Sequence, residues 1–288
     1  MLPPWGKRSG DSRKRGGPLN TSSDPVLAVA VRAARRAASV IIDASRDLRR
    51  LPTFSKEHGD IVSSADTEAE SAIAATIGAA FPEHAVLSEE SGEIRKGNEQ
   101  TPFRWVVDPI DGSLNFVHGF PYYAISIALA KNDEITHAVV LDPVHDELFT
   151  AIKGKGTQRN GAQIHVSACT RLSDALVGTV FPTRRSPKLP GYLPVFSALA
   201  GQCAGIRRAG ACALDLAHVA SGRLDGFWVM SLKAWDVAAG SLLVSEAGGR
   251  VGDFAGGGEY LRTNEVIAAA PGLFNPLREA IVVARPAS

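Results

Sequence analysis

In the stretch Trp105-Val-Val-Asp-Pro-Ile-Asp-Gly112, two carboxylates three residues apart follow a short apolar run. Pro109 fixes φ and Gly112 permits a tight turn, so Asp108 and Asp111 can converge where the run ends. Convergent carboxylates repel unless a cation sits between them, and a hard, oxygen-seeking ion such as Mg²⁺ suits this donor set. An Asp-Pro turn with a helix cap is the plainer reading of the same residues. Two more acidic positions tip the balance. The apolar run Ala85 to Ser88 ends in Glu89 and Glu90, and Ala234-Trp-Asp-Val-Ala-Ala-Gly-Ser241 places Asp236 at the start of an apolar helix. Alone, Glu90 reads as a solvated acid and Asp236 as an N-cap. Together, in a chain of formal net charge +1, they point to a metal cluster.

The stretches Leu87-Ser-Glu-Glu-Ser-Gly92, Asp108-Pro-Ile-Asp-Gly-Ser-Leu-Asn-Phe116 and Trp235-Asp-Val-Ala-Ala-Gly240 resemble the signature motifs of inositol monophosphatases, in order and in separation. Agreement extends through Gly119-Phe-Pro-Tyr-Tyr-Ala-Ile-Ser126, Gly154-Lys-Gly-Thr157 and Ser245-Glu-Ala-Gly-Gly249, so the resemblance covers residues 26 to 283. It implies an enzyme that hydrolyses inositol 1-phosphate, or a related small polyol or sugar phosphate, by in-line attack of a metal-activated water. Glu89, Asp108, Asp111, Asp236 and the carbonyl of Ile110 would hold two or three Mg²⁺ ions. Ser113 stands where the family usually has Thr. Its hydroxyl, oriented by Asp66, would help Glu89 deprotonate the water, and the amides of Gly112 and Ser113 would meet the phosphate. Asp66 also reads as a helix cap, and the two roles are compatible. Lys56 resembles a lysine near the metals and equally reads as a solvated loop charge.

On the substrate side the resemblance maps Gly210, Ala211 and Cys212 onto a segment that lines the substrate ring. Val229 stands where a substrate-binding glutamate is usual, seven residues before Asp236. An apolar side chain there removes an acceptor for a polyol hydroxyl, and such losses alter selectivity strongly. Sister specificities are therefore alternatives: histidinol phosphate, fructose 1,6-bisphosphate or 3′-phosphoadenosine 5′-phosphate. Asn115-Phe116 favours the inositol branch over the nucleotide branch, which carries Lys-Glu there. No protein nucleophile is needed, and the chain has neither a G-x-S-x-G elbow nor a Walker-type loop.

The elements that must carry these residues are legible as periodic segments. Asp24-Pro25 caps a helix over Val26 to Ser45, and a second helix is expected from Asp66-Thr67 to before Phe81-Pro82, with Thr67 and Glu70 at capping-box spacing. Strands are expected at Ala85–Ser88, Trp105–Val107, Tyr123–Ala130, Thr136–Leu141 and Glu147–Ala151, with a hairpin turn at Asn160-Gly161. Beyond residue 168, strands (Ala175–Val180, Val266–Ala270) alternate with helices (Ala211–Ser221, Val237–Ala247). The pattern predicts an α+β (mixed α/β) unit of layered helices and sheets, residues 25–288, with halves 25–167 and 168–288 packed as one. The resemblance implies the sugar-phosphatase type of layering, an α-β-α-β-α sandwich, and a homodimer.

Composition sets the remaining bounds. The near-neutral balance argues against a dedicated nucleic-acid binder. Cys169, Cys203 and Cys212 form no C-x-x-C pair, which argues against a disulfide scaffold or structural zinc and suits a cytoplasmic protein with buried thiols. The seven histidines show no H-E-x-x-H spacing, and no apolar run is long enough to span a membrane. Residues 1–24 are rich in Gly, Ser, Pro and cations (Lys7, Arg8, Arg13, Lys14, Arg15) without an apolar stretch, and are expected to form a disordered basic tail rather than a secretory signal. Such a tail is compatible with a second reading: a regulatory protein that keeps the fold and associates with RNA or the transcription machinery, as bacterial members of the family do.

Overall fold

A computed structural model describes residues 24–55, 61–97, 101–182 and 186–285. Lys56 and nearly all of the basic tail lie outside these residues. Helix α1 (Pro25–Ser45) starts at Asp24, whose Oδ1 accepts from the amides of Val26 and Leu27 at 3.1 and 3.0 Å. Ala30, Ala33, Ala34 and Ala37 are buried along one face, and their small side chains let the helix lie close to the next one. A hairpin of β1 (Thr53–Ser55) and β2 (Ile61–Ser63) leads into that helix, α2 (Ser64–Ala80).

Helix α2 begins earlier than the Thr67–Glu70 spacing predicts. Ser63 is the N-cap, and Asp66 rather than Glu70 closes the capping box, accepting from the Ser63 amide at 2.8 Å. Glu70 instead leaves the helix to accept from the amides of Glu90 and Ser91 at 3.1 and 3.3 Å.

The large sheet follows: β3 (Ala85–Ser88), β4 (Gly92–Arg95), β5 (Phe103–Asp111), then after a short helix α3 (Ser113–Val117), β6 (Ala124–Lys131), β7 (Glu134–Asp142), β8 (Glu147–Ile152), β9 (Gly156–Arg159) and β10 (Ala162–Ile164). Its order is β10-β9-β8-β7-β6-β5-β3-β4, with only the β3–β5 pair parallel. Asn160 and Gly161, both at positive φ, make the expected two-residue turn between β9 and β10. The second sheet is built from β11 (Leu176–Thr179), β12 (Gly205–Arg207) after helix α4 (Leu189–Ala200), β13 (Gly226–Met230) after α5 (Cys212–Ala220), β14 (Arg250–Gly252) after α6 (Ala234–Glu246), and β15 (Glu265–Ala269) after the short α7 (Tyr260–Thr263). Helix α8 (Pro271–Ala284) completes the described chain, and the strand order is β12-β11-β13-β15-β14.

Side-chain alternation on the strands defines the layers. On β6, Ile125, Ile127 and Leu129 face α1 and α2, whereas Ala124 and Ala128 face α5 and α6. On β13, Phe227 and Val229 face the α5–α6 layer, whereas Trp228 and Met230 face α4 and α8. The result is the expected α-β-α-β-α sandwich: α1/α2, the eight-stranded sheet, α5/α6, the five-stranded sheet, α4/α8. The central helices touch at Gly240, where an added Cβ would lie 2.5 Å from Leu216 Cβ.

Strands β1, β2, β4, β12, β13 and β14 and helices α4 and α8 are not among the elements expected from the sequence: the strands run three to five residues, β13 is buried throughout and so shows no alternation, and both helices carry an internal Pro (Pro194, Pro276). Of the cysteines only Cys212 is buried; Cys169 and Cys203 are half-buried, and all three are free thiols. Among the described residues no helix is long and apolar enough to cross a membrane.

Candidate active site

Positions 108 and 111 are an odd number of residues apart, so a regular strand would send their side chains to opposite faces. In the structure Asp108 pairs with Ser126 and Asp111 with Ala124, so two residues of β5 (Pro109 and Ile110) oppose the single Ile125 of β6. This β-bulge returns Asp111 to the face that carries Asp108. Pro109, which has no amide hydrogen to donate, is tolerated at such a break in the ladder. Both carboxylates therefore look toward α5 and α6, and Ile110 turns its side chain to the opposite core.

Asp236 meets them from the first turn of α6. It sits inside the helix rather than at its cap, which is Lys233, and its Oδ2 accepts from the Lys233 amide at 2.7 Å. One carboxylate oxygen from each of Asp108, Asp111 and Asp236 lies within 4.8 Å of the others. Burial drives the Asp108 carboxyl well above the usual range, and the neighbouring charges of Glu89, Asp111, Asp236 and Asp66 push it further. Asp111 is pushed up to about 7, again chiefly by burial, against the helix amides that lower it. Asp236 is raised by burial and by Asp111. Glu89 adds to the repulsion at all three, while the carboxylate oxygens that lie within 4.8 Å of one another are those of Asp108, Asp111 and Asp236, without Glu89.

Asp108 Oδ1 is buried and has no hydrogen-bond partner among the described residues. An orphaned, buried carboxylate oxygen surrounded by acids is what a hard divalent cation would satisfy, so the residues present fit Mg²⁺.

Around the trio the backbone is tightly keyed. Asp111 accepts from the amides of Cys212 (3.0 Å) and Ala213 (2.6 Å) at the start of α5. Gly112 has φ +97, and a Cβ there would lie 3.1 Å from Tyr122 O and 3.2 Å from both Gly210 O and Ala211 Cβ. The Ser113 hydroxyl sits 2.6 Å from Asp66 Oδ1 and 2.8 Å from the carbonyl of Ile110, with one proton to share. Asp66 is fully buried and divides its oxygens: Oδ2 caps α2, and Oδ1 faces Ser113. The Glu89–Ser91 turn is held by Glu70 and by the Glu89 amide bonding to Val107 O at 3.1 Å.

The proposed substrate side is more closed. Ala211 and Cys212 are buried, and Gly210 is half-buried beside Asn115. Val229 lies in the core between sheet and helices at 1% exposure. A cleft of about 450 Å³ at the far end of α6, lined by Glu134, Lys153, Glu246 and Tyr260 among others, includes neither Glu89 nor Asp108, Asp111 or Asp236. Sequence reasoning did not single out Glu70 and Tyr122 for the site, and gave Asn115 and Asp215 no positional role. The available signals were the places of Asn115 inside the signature stretch Asp108–Phe116 and of Tyr122 inside Gly119–Ser126.

The sequence profile described as the inositol monophosphatase family matches residues 22–285. The chain is 46% identical over 258 residues to the Nus factor SuhB of Pseudomonas aeruginosa, covering 88% of this chain and 94% of the relative. It is 41% identical over 247 residues to the Nus factor SuhB of Escherichia coli K12, covering 86% and 92%. Among solved structures it superposes on the extragenic suppressor protein suhB of Bartonella henselae with a TM-score of 0.86 at 40% identity, covering 90% of this chain and 98% of that one. The inositol monophosphatase of Anabaena gives a TM-score of 0.81 at 34% identity, covering 93% and 98%.

Proposed function

The chain belongs to the inositol monophosphatase family, and from that premise we propose that it is a Mg²⁺-dependent phosphomonoesterase of inositol 1-phosphate or a related small polyol or sugar phosphate. The observation that carries this reading is the convergence of Asp108, Asp111 and Asp236 around a buried, unpartnered carboxylate oxygen. These three, with Glu89 and the Ile110 carbonyl, would hold two or three ions. Bound there, Mg²⁺ supplies Lewis acidity toward water and phosphoryl oxygens. The chain's own groups do the rest. Ser113, fixed by Asp66, holds a proton at its Oγ where it can be passed on with Glu89. Gly112 and Ser113 offer amides to phosphate oxygens, and Gly210, Ala211 and Cys212 shape the side where the leaving group sits. Val229 offers no acceptor to a substrate hydroxyl, which supports a substrate range wider than inositol phosphate. The reading assigns catalysis to residues 25–288 of a cytoplasmic homodimer.

The test is phosphate release from inositol 1-phosphate, glycerol 2-phosphate, histidinol phosphate, fructose 1,6-bisphosphate and 3′-phosphoadenosine 5′-phosphate, with Mg²⁺ or EDTA. The Asp108→Asn and Asp236→Asn variants run alongside. Mg²⁺-dependent turnover lost in both variants supports the reading, and folded protein that binds no Mg²⁺ refutes it.

A second reading, association with RNA of the transcription machinery, is supported by the Nus factor names of the relatives and by one surface feature. The outer face of α1 and the turn after it expose Arg32, Arg35, Arg36, Arg46, Arg49 and Arg50, of which Arg35, Arg46 and Arg50 pair with Asp146, Asp43 and Asp47. Phosphate backbones bind such stripes in a salt-dependent way. RNA binding that weakens steeply with salt and drops in an Arg32→Glu/Arg49→Glu variant supports it; no binding at low salt ends it.

A further inference from the structure

Tyr122 is held at both ends. Its carbonyl accepts from Asn115 Nδ2 at 2.7 Å, and the other hydrogen of that amide goes to Ala209 O at 2.9 Å. Its hydroxyl donates to Asp215 Oδ1 on α5. Asp215 is 1% exposed, and its second oxygen has no hydrogen-bond partner among the described residues.

The same helix is grasped at its N-terminus by Asp111. The contacts close a ring: Asp111 to the first turn of α5, along one turn to Asp215, across to the Tyr122 hydroxyl, through Tyr122 to Asn115, and back along α3 and Gly112 to Asp111. The ring is tightly filled, since a Cβ on Gly112 would lie 3.1 Å from Tyr122 O and one on Gly210 3.0 Å from Asn115 Nδ2.

A buried carboxylate with a single donor costs the fold stability. Burial pushes Asp215 up to about 7, and its charge in turn adds to the load on Asp111. Tyr122 is its one hydrogen-bonding partner among the described residues, and the nearby Arg208 guanidinium contributes only at a distance. The hydrogen-bond partners of a metal ligand help to set its orientation, and here those partners are the Cys212 and Ala213 amides of the helix that Asp215 ties to Tyr122.

We propose that Tyr122 and Asp215 are a positioning pair for Asp111: their hydrogen bond locks the rotation and approach of α5, so that the Cys212 and Ala213 amides hold the Asp111 carboxylate in the orientation that takes a divalent cation. The proposal rests on the phosphatase reading, in which Asp111 is a Mg²⁺ ligand.

Mg²⁺ titrated calorimetrically into the full chain tests it, on the wild type and on Tyr122→Phe, Asp215→Leu and Asp215→Asn, with thermal melts in EDTA on each. Tyr122→Phe and Asp215→Leu are expected to bind Mg²⁺ roughly 10-fold more weakly. Asp215→Asn, which still accepts from the Tyr122 hydroxyl, keeps wild-type affinity. In turnover, the KM for Mg²⁺ rises in the first two while kcat at saturating Mg²⁺ is retained. Should Asp215→Leu not fold, Tyr122→Phe, which removes a single oxygen, decides alone. Wild-type Mg²⁺ affinity in Tyr122→Phe, whatever its melting temperature, overturns the proposal and leaves the phosphatase reading standing. Equal loss in Asp215→Asn also overturns it, because charge rather than the hydrogen bond would then be responsible. A wild type that binds no Mg²⁺ overturns both.

Discussion

Asp108 carries a heavy electrostatic burden: it is buried, one oxygen lacks a donor, and its neighbours are acids. Replacing it by Asn removes the repulsion. Asp108→Asn is expected to raise stability in EDTA at pH 8 by about 1 kcal/mol or more, as read from urea unfolding, while phosphate release disappears. A variant less stable than wild type in EDTA would contradict this account. His218 carries the opposite sign. It packs 6.0 Å from the Tyr122 ring and 6.3 Å from Phe149, and burial, aided by Arg223, pushes it down to about 4. Its unfolded value is near 6.5, so the native state keeps it neutral where the unfolded chain takes up a proton. The stability it contributes is full above pH 6.5 and is lost as pH falls toward 4. The partial solvent contact of the ring reduces the effect to on the order of 1–2 kcal/mol between pH 7 and pH 5. His218→Gln should flatten the acid limb of the stability profile by that amount; an unchanged limb would reject the assignment.

At the scale of elements, three devices assemble the cluster: the bulge in β5, the first turn of α6, and the crossing of α5 with α6. The crossing is the least forgiving. An added Cβ at Gly240 would come within 2.5 Å of both Cβ and Cδ1 of Leu216, and Cβ is not the free end of a side chain that can swing away. Gly240→Ala must push α6, and with it Asp236, away from α5. The expected cost is roughly 1–3 kcal/mol. A weaker Mg²⁺ titration should accompany it, whereas a mutation of equal cost remote from the crossing should leave the titration unchanged. If Gly240→Ala lowers stability without touching Mg²⁺ affinity, the helix crossing does not set the position of Asp236.

For the whole molecule, the five layers place the acids where the eight-stranded sheet meets the central helices, so carboxylates from β5 and α6 converge, with Glu89 just past the end of β3. An ion held there ties the two sheets together through α6 and binds only the folded chain. Saturating Mg²⁺ should therefore raise the melting temperature by several degrees, corresponding to about 2.7 kcal/mol at a hundredfold excess over Kd. EDTA should reverse the shift, and Asp236→Asn should show none. A melting temperature indifferent to Mg²⁺ would remove the metal from the account.

The sequence alone determined the family, the layered fold class and many of the elements. Asp108, Asp111, Glu89 and Asp236 announce themselves because each closes an apolar run or opens a helix, and α1, α5, α6 and most core strands follow from pattern in their own residues, β13 being the exception. The layered class was legible for the same reason, since strands and helices with one apolar face have few ways to stack. What the tertiary structure decided depends on residues distant in the chain. The bulge that brings Asp111 round to Asp108 exists only against the register of β6. Asp66 serves both Ser63, three residues away, and Ser113, 47 residues away, and only the first contact leaves a local trace. Tyr122 and Asp215 are 93 residues apart and meet because two sheets are packed on the same pair of helices. Local pattern encodes which way a side chain faces; which side chain it meets is set by packing between elements.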